Sequence, residues 1–199
     1  MVCLRGIVLT LGMCLLASVG WAHPHVFITS QLTLVFKEKK PVQLDVEWAF
    51  DEAFSSLVLT DYDSDMDAVF SPEETSVIRQ EAFDYLKESS YFTFICHSGV
   101  KRHAVAPTSI ECLARKGIVY FRFSVPVSPP PSASSPVRIS QYDPSNYNAI
   151  FLASGSPLIF KGDVPETIDL EIRENPDETY YFDMLHPIEA VISFDGPGA

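Results

Sequence analysis

From Val26 to Phe50 the chain alternates in a way that leaves few folds open. Val26, Ile28, Leu32, Leu34 and Phe36 share one parity, broken only by Ser30. After the polar run Lys37-Glu38-Lys39-Lys40-Pro41, the residues Val42, Leu44, Val46, Trp48 and Phe50 alternate with Gln43, Asp45 and Glu47. A period of two means strands with one face in a core, and the short polar run between them means an antiparallel hairpin.

The pattern changes at Asp51. Ala53, Phe54, Leu57 and Val58 can share one side of a short helix over 51–59. Ser71 is placed to cap a second helix, with Pro72 at its first position and Glu74 completing a capping box. Val77, Ile78, Ala82, Phe83, Tyr85 and Leu86 extend it at helical spacing as far as 88. Short β-rich runs then return at 91–96, 110–114, 118–125, 137–142, 149–153, 157–160, 168–172 and 188–194. Between them the proline- and serine-rich stretch 126–136 reads as an exposed loop. The fold class expected is α+β: a mainly antiparallel sheet or sandwich forming one domain over 23–199, with a helix–loop–helix insertion at 51–88.

The first 22 residues have a different character. Arg5 is their one charge, an apolar stretch over 7–19 follows, and Gly20-Trp21-Ala22 offers the small-x-small exit of a secretory signal. The apolar run is shorter than the about 20 residues needed to span a bilayer. The expectation is a cleaved leader at 1–22 and an exported, periplasmic chain that begins at His23 and has no membrane span. With 14 basic against 26 acidic residues and a formal charge of −12, nucleic acid is excluded as a partner.

Cys3 and Cys14 fall in the leader, which leaves Cys96 and Cys112. In an oxidising compartment the simplest reading is a disulfide between them, worth roughly 3 kcal/mol for a loop of that size. The other reading is a metal site, because His97 and His103 lie inside the same loop.

The segment that carries chemistry is Asp63-Ser64-Asp65-Met66-Asp67-Ala68-Val69-Phe70-Ser71-Pro72-Glu73-Glu74. Calcium is a hard cation that takes six to eight oxygens, and an EF-hand loop supplies them from its positions 1, 3, 5, 7, 9 and 12. Here those positions are Asp63, Asp65, Asp67, the Val69 carbonyl, Ser71 and Glu74, with a helix expected on each side and Phe70 anchoring the loop to the core. Ala68 stands where glycine usually supplies a positive φ. The expected cofactor is a structural calcium-type ion.

His23-Pro24-His25-Val26-Phe27-Ile28, Trp48-Ala49-Phe50-Asp51-Glu52-Ala53-Phe54-Ser55, the aspartate loop, Tyr91-Phe92-Thr93, and Tyr142-Asp143-Pro144 with Tyr147 occur here in that order. In this ordered set the chain resembles the bacterial family catalogued as domain of unknown function 1007, often labelled a periplasmic component of an uncharacterised ABC-type transport system. Members are commonly encoded near nickel, cobalt or zinc transport proteins. The resemblance therefore implies metal handling, with a membrane metal transporter or another envelope protein as partner.

A chain starting at His23 would offer an amine and an imidazole, and His25 a second imidazole, a nitrogen set that suits copper, nickel, cobalt or zinc. The other reading is that His-Pro-His begins an edge strand. His97, His103 and His186 are candidates for further ligands. No nucleophile elbow, His-Glu-x-x-His helix or phosphate loop is present, and Asp183 with His186 is explained equally well by a surface turn before Pro187. The expectation is a metal-binding accessory of a transition-metal transport system and not an enzyme. The alternative is a calcium-stabilised interaction domain with no transition-metal role.

Overall fold

The computed structural model describes residues 24–97, 100–103, 107–127 and 136–194. The leader, His23 and nearly all of the proline- and serine-rich loop lie outside the described residues. The opening alternation becomes β1 (Val26–Lys37) and β2 (Lys40–Phe50), paired antiparallel from Ile28 opposite Phe50 to Lys37 opposite Lys40. The turn is tighter than the polar run suggests. Glu38 and Lys39 alone make it, at φ 51° and 59°, the mirror-image geometry whose twist matches that of the flanking strands. Pro41 consequently lies inside β2, beside a register shift at Val35/Phe36, where a bulge tolerates a residue with no N–H.

Among the described residues nine further strands follow: β3 (Thr93–His97), β4 (Val100–His103), β5 (Ser109–Arg115), β6 (Ile118–Pro126), β7 (Val137–Gln141), β8 (Asn148–Leu152), β9 (Leu158–Gly162), β10 (Ile168–Glu174) and β11 (Ile188–Phe194). They form two sheets, one in the order β5-β6-β2-β1-β8 with β9 also on β1, the other in the order β10-β11-β7-β3-β4. The hairpins pair antiparallel as expected, but β8 and β9 both run parallel to β1. Alternation reports that a strand is half-buried; it carries no record of the direction of its neighbour. Gly162 ends β9 at φ +84°, where an added Cβ would stand 2.1 Å from the Phe36 carbonyl oxygen, so only glycine fits.

The inner faces share one apolar cluster, drawn from Leu34, Leu44, Trp48 and Val125 of the first sheet and Val137, Ile139 and Ile192 of the second. Trp48 lies at its centre, 4.7 Å from the Phe123 ring and 5.9 Å from that of Phe92.

Among the described residues, helical structure is confined to the segment between β2 and β3. Helix α1 (Glu52–Tyr62) is capped by Asp51, whose carboxylate accepts from the Phe54 N–H at 2.9 Å and also from the Phe27 N–H at 2.7 Å, which fixes the helix to β1. Helix α2 (Pro72–Ile78) starts with the capping box expected at Ser71 and Glu74. It does not continue to 88 as a regular helix. After Ile78 the winding loosens to a π turn over Arg79–Phe83, tightens to a 3₁₀ segment over Asp84–Phe92, and closes with Ser90, Tyr91 and Phe92 all left-handed. The changed winding rephases the chain so that Ile78, Phe83, Tyr91 and Phe92 all reach the core.

The expected disulfide is overturned. Cys112 lies on β5 of the first sheet and faces the core, while Cys96 lies on β3 of the second, and no disulfide joins them. Cys96 follows the core-facing Ile95, so it points to the other side of its sheet. Burial pushes the Cys112 thiol up to about 12, assisted by the neighbouring Glu111 charge. It behaves as an apolar core residue.

Candidate metal centre

The loop between α1 and α2 is built by its own backbone. Asp63, buried at the end of α1, accepts from the Asp67 N–H at 3.2 Å and the Ala68 N–H at 2.9 Å. Asp65 accepts from the Asp67 N–H at 3.3 Å, and Asp67 from the Val69 N–H at 2.7 Å. Each short acidic side chain thus folds the next residues around itself. Ala68 adopts φ 61°, the left-handed turn that the loop needs and that glycine supplies more cheaply. Phe70 is buried in the core cluster and anchors the far side of the loop, as expected.

These bonds bring one carboxylate oxygen from each of Asp63, Asp65 and Asp67 within 4.8 Å of one another. Among the described residues none of the three forms an ion pair. At Asp65 the Asp67 N–H lowers the pKa, but partial desolvation and repulsion from Asp67, Glu74 and Asp63 outweigh it, and the net shift is upward. The cluster is short of positive charge.

Glu74 is placed differently. Its Oε1 accepts from the Ser64 N–H at 2.7 Å and the Ser64 hydroxyl at 2.6 Å; its Oε2 accepts from the Ser71 N–H at 2.9 Å and the Ser71 hydroxyl at 3.0 Å. The Ser71 hydroxyl in turn accepts from the Glu74 N–H at 3.2 Å. These donors, the Ser64 hydroxyl foremost, hold the Glu74 carboxyl at about 2, well below its usual value. Glu74 therefore closes the loop by hydrogen bonds and stands outside the three-carboxylate cluster. The signal for this was in the sequence, because the capping box and the last loop ligand claim the same carboxylate. The part of Ser64, which only the folded loop brings opposite Glu74, had no such signal.

Among the described residues no second group of three such ligands converges. His25 is exposed at the head of β1, its N–H donating to the Tyr147 carbonyl at 2.8 Å and its ring 4.9 Å from the Tyr147 ring. His97 is buried on β3 and Cys112 belongs to the other sheet, while the side chain of His103, on β4, lies outside the described residues. Asp183 accepts from the Thr179 hydroxyl, while the His186 Nδ1 lies 2.7 Å from the Glu178 carbonyl oxygen. They are two ties of one surface turn.

Among the described residues no helix is long and apolar enough to cross a membrane. Over 137 residues the chain is 25% identical to the "Uncharacterized 15.5 kDa protein in trpE 3'region" of Spirochaeta aurantia, a match covering 69% of this chain and 98% of that protein. The model of one family, described as "Protein of unknown function (DUF1007)", matches residues 8–181, and the chain belongs to that family.

Proposed function

We propose that this is an exported metal-binding accessory protein of a transition-metal transport system, of the nickel, cobalt or zinc kind, whose 63–74 loop holds a calcium-type ion structurally. The observation that carries the cation reading is the approach of Asp63, Asp65 and Asp67 within 4.8 Å, with no ion pair to any of the three among the described residues. Hard divalent ions are bound by such oxygen sets, and the three carboxylates supply charge that the loop's backbone N–H groups only partly offset. With Glu74 held by Ser64 and Ser71, the remaining oxygens would come from the Val69 carbonyl, Ser71 and water. Glu74 enters only by releasing Ser64. The role is binding and not catalysis, and the transported metal is met through His23 and His25.

Thermal unfolding in calcium and in chelator tests the loop: calcium raises the midpoint, and Asp65→Asn with Asp67→Asn removes the gain. Identical midpoints in the wild type would leave the loop an acidic helix cap. Titration with nickel, cobalt, copper and zinc tests the amino-terminal histidines, whose affinity should fall in His25→Ala.

A second reading, a cation-stabilised interaction domain without a transition metal, is favoured by the turn at Tyr181, Phe182 and Asp183. All three residues are left-handed, and the turn holds Phe182 88% and Met184 51% exposed. An absence of transition-metal binding together with an intact calcium response would select it.

A further inference from the structure

We infer that the outer edge of β10 is a docking strand for an extended segment of a partner protein in which basic and apolar residues alternate. β10 ends the second sheet, and its seven residues pair with β11 from Ile168 opposite Phe194 to Glu174 opposite Ile188 without a register shift. In an antiparallel ladder alternate residues turn their N–H and C=O away from the neighbour. Among the described residues no hydrogen bond reaches those outward groups of β10. The other edges are poorer templates: β4 is short and its pairing shifted, β8 and β9 have five residues each, and β5 lies against α2. A long, flat, open edge is the surface to which another strand adds.

The side chains say which strand. Ile168 and Leu170 are packed partly against the core, and Ile172, on the same face, is 41% exposed. Asp169 and Glu171 point to the opposite face. Asp169 has no ion partner among the described residues, and Glu171 shares Arg173 with the buried Glu189. An incoming strand would meet carboxylates on one face and aliphatic side chains on the other. Lysine or arginine opposite the first and valine or isoleucine opposite the second satisfies both. A second copy paired antiparallel about Glu171 would set Glu171 against Glu171 but Arg173 against Asp169, so it is the rival occupant that the test must separate.

The inference is independent of the metal loop, and its test leaves that loop intact. The probes are the heptapeptides acetyl-Lys-Val-Lys-Val-Lys-Val-Lys-amide and acetyl-Glu-Val-Glu-Val-Glu-Val-Glu-amide, added to the chain from His23 onward. Amide hydrogen exchange is followed residue by residue. The basic peptide should slow exchange of the outward amides of β10 at least about tenfold, and about 0.5 M salt should weaken the effect. The acidic peptide should leave these amides unchanged. Asp169→Lys with Glu171→Lys, checked for native circular dichroism, should abolish the slowing; Ile172→Lys should reduce it. Equal slowing by both peptides, protection confined to other segments, or no protection overturns the inference. Concentration-dependent protection without peptide also overturns it, because the occupant would then be a second copy.

Discussion

Two groups of carboxylates in this molecule are held in opposite ways. Glu189, on β11, is 1% exposed and receives two guanidinium groups: the Arg138 Nε on Oε2 at 2.8 Å and the Arg173 Nε on Oε1 at 3.0 Å. Among the described residues Asp63, Asp65 and Asp67 have only backbone N–H groups for hydrogen-bond partners. A buried carboxylate must be paired or hydrogen-bonded from within the chain, as Glu189 is by guanidinium groups and Asp63 by backbone N–H groups, because desolvation of an unsatisfied charge costs several kcal/mol. Asp65 and Asp67 are exposed and need no charged partner from the fold. In so acidic a chain, the location of basic residues separates acids that serve the fold from acids that can serve a ligand.

Removing one guanidinium is the harshest way to break that contrast. Arg138→Met should cost about 3 kcal/mol in denaturant unfolding, with the loss the same in calcium and in chelator. An unchanged midpoint would mean that Arg173 alone suffices. At the loop, calcium at a hundredfold excess over its Kd should add about 2.7 kcal/mol. Asp65→Asn with Asp67→Asn should remove that gain and slightly raise stability in chelator, since fewer like charges then face one another. A cost in chelator would mean that the carboxylates already serve the fold. A smaller effect tests the loop's backbone: Ala68→Gly should stabilise by about 1 kcal/mol in either condition, as a left-handed alanine is relieved.

The smallest effect is the acid limb of the stability profile in chelator. Glu74 sits at about 2 in the folded chain against an ordinary 4.5. Its contribution is fully present above pH 4.5 and is lost as pH falls towards 2. Asp65 is shifted the other way, so its protonation partly offsets that loss. In Glu74→Gln the slope between pH 4.5 and 2 should flatten; an unaltered slope would place the acid sensitivity elsewhere.

The sequence was legible wherever one residue type met one demand. Alternation located β1 and β2, and the Ser71-x-x-Glu74 pattern located the start of α2. It was less legible where two demands met. Glu74 satisfied the rule for a last calcium ligand and the rule for a capping box, and the folded loop resolves the conflict through Ser64, ten residues earlier. Cys96 and Cys112 satisfied the spacing of a closed loop, but spacing does not say that two strands will enter different sheets. The rewinding between Ile78 and Phe92 has no local signal at all. It is imposed by the need to bring Phe83, Tyr91 and Phe92 against the sheets.

The parallel seating of β8 and β9 on β1 sets an order of events during synthesis. β1 is among the first strands to emerge, yet one of its flanks is completed only when 148–162 arrives. Until then the backbone groups along that flank stay available to any other strand. Loop closure over more than half the chain is slow compared with hairpin formation. A ribosome stall or truncation before Asn148 would release a species with its hairpin formed and that flank open. Such a species would offer an open edge to its own kind, so the full chain should refold most cleanly when dilute.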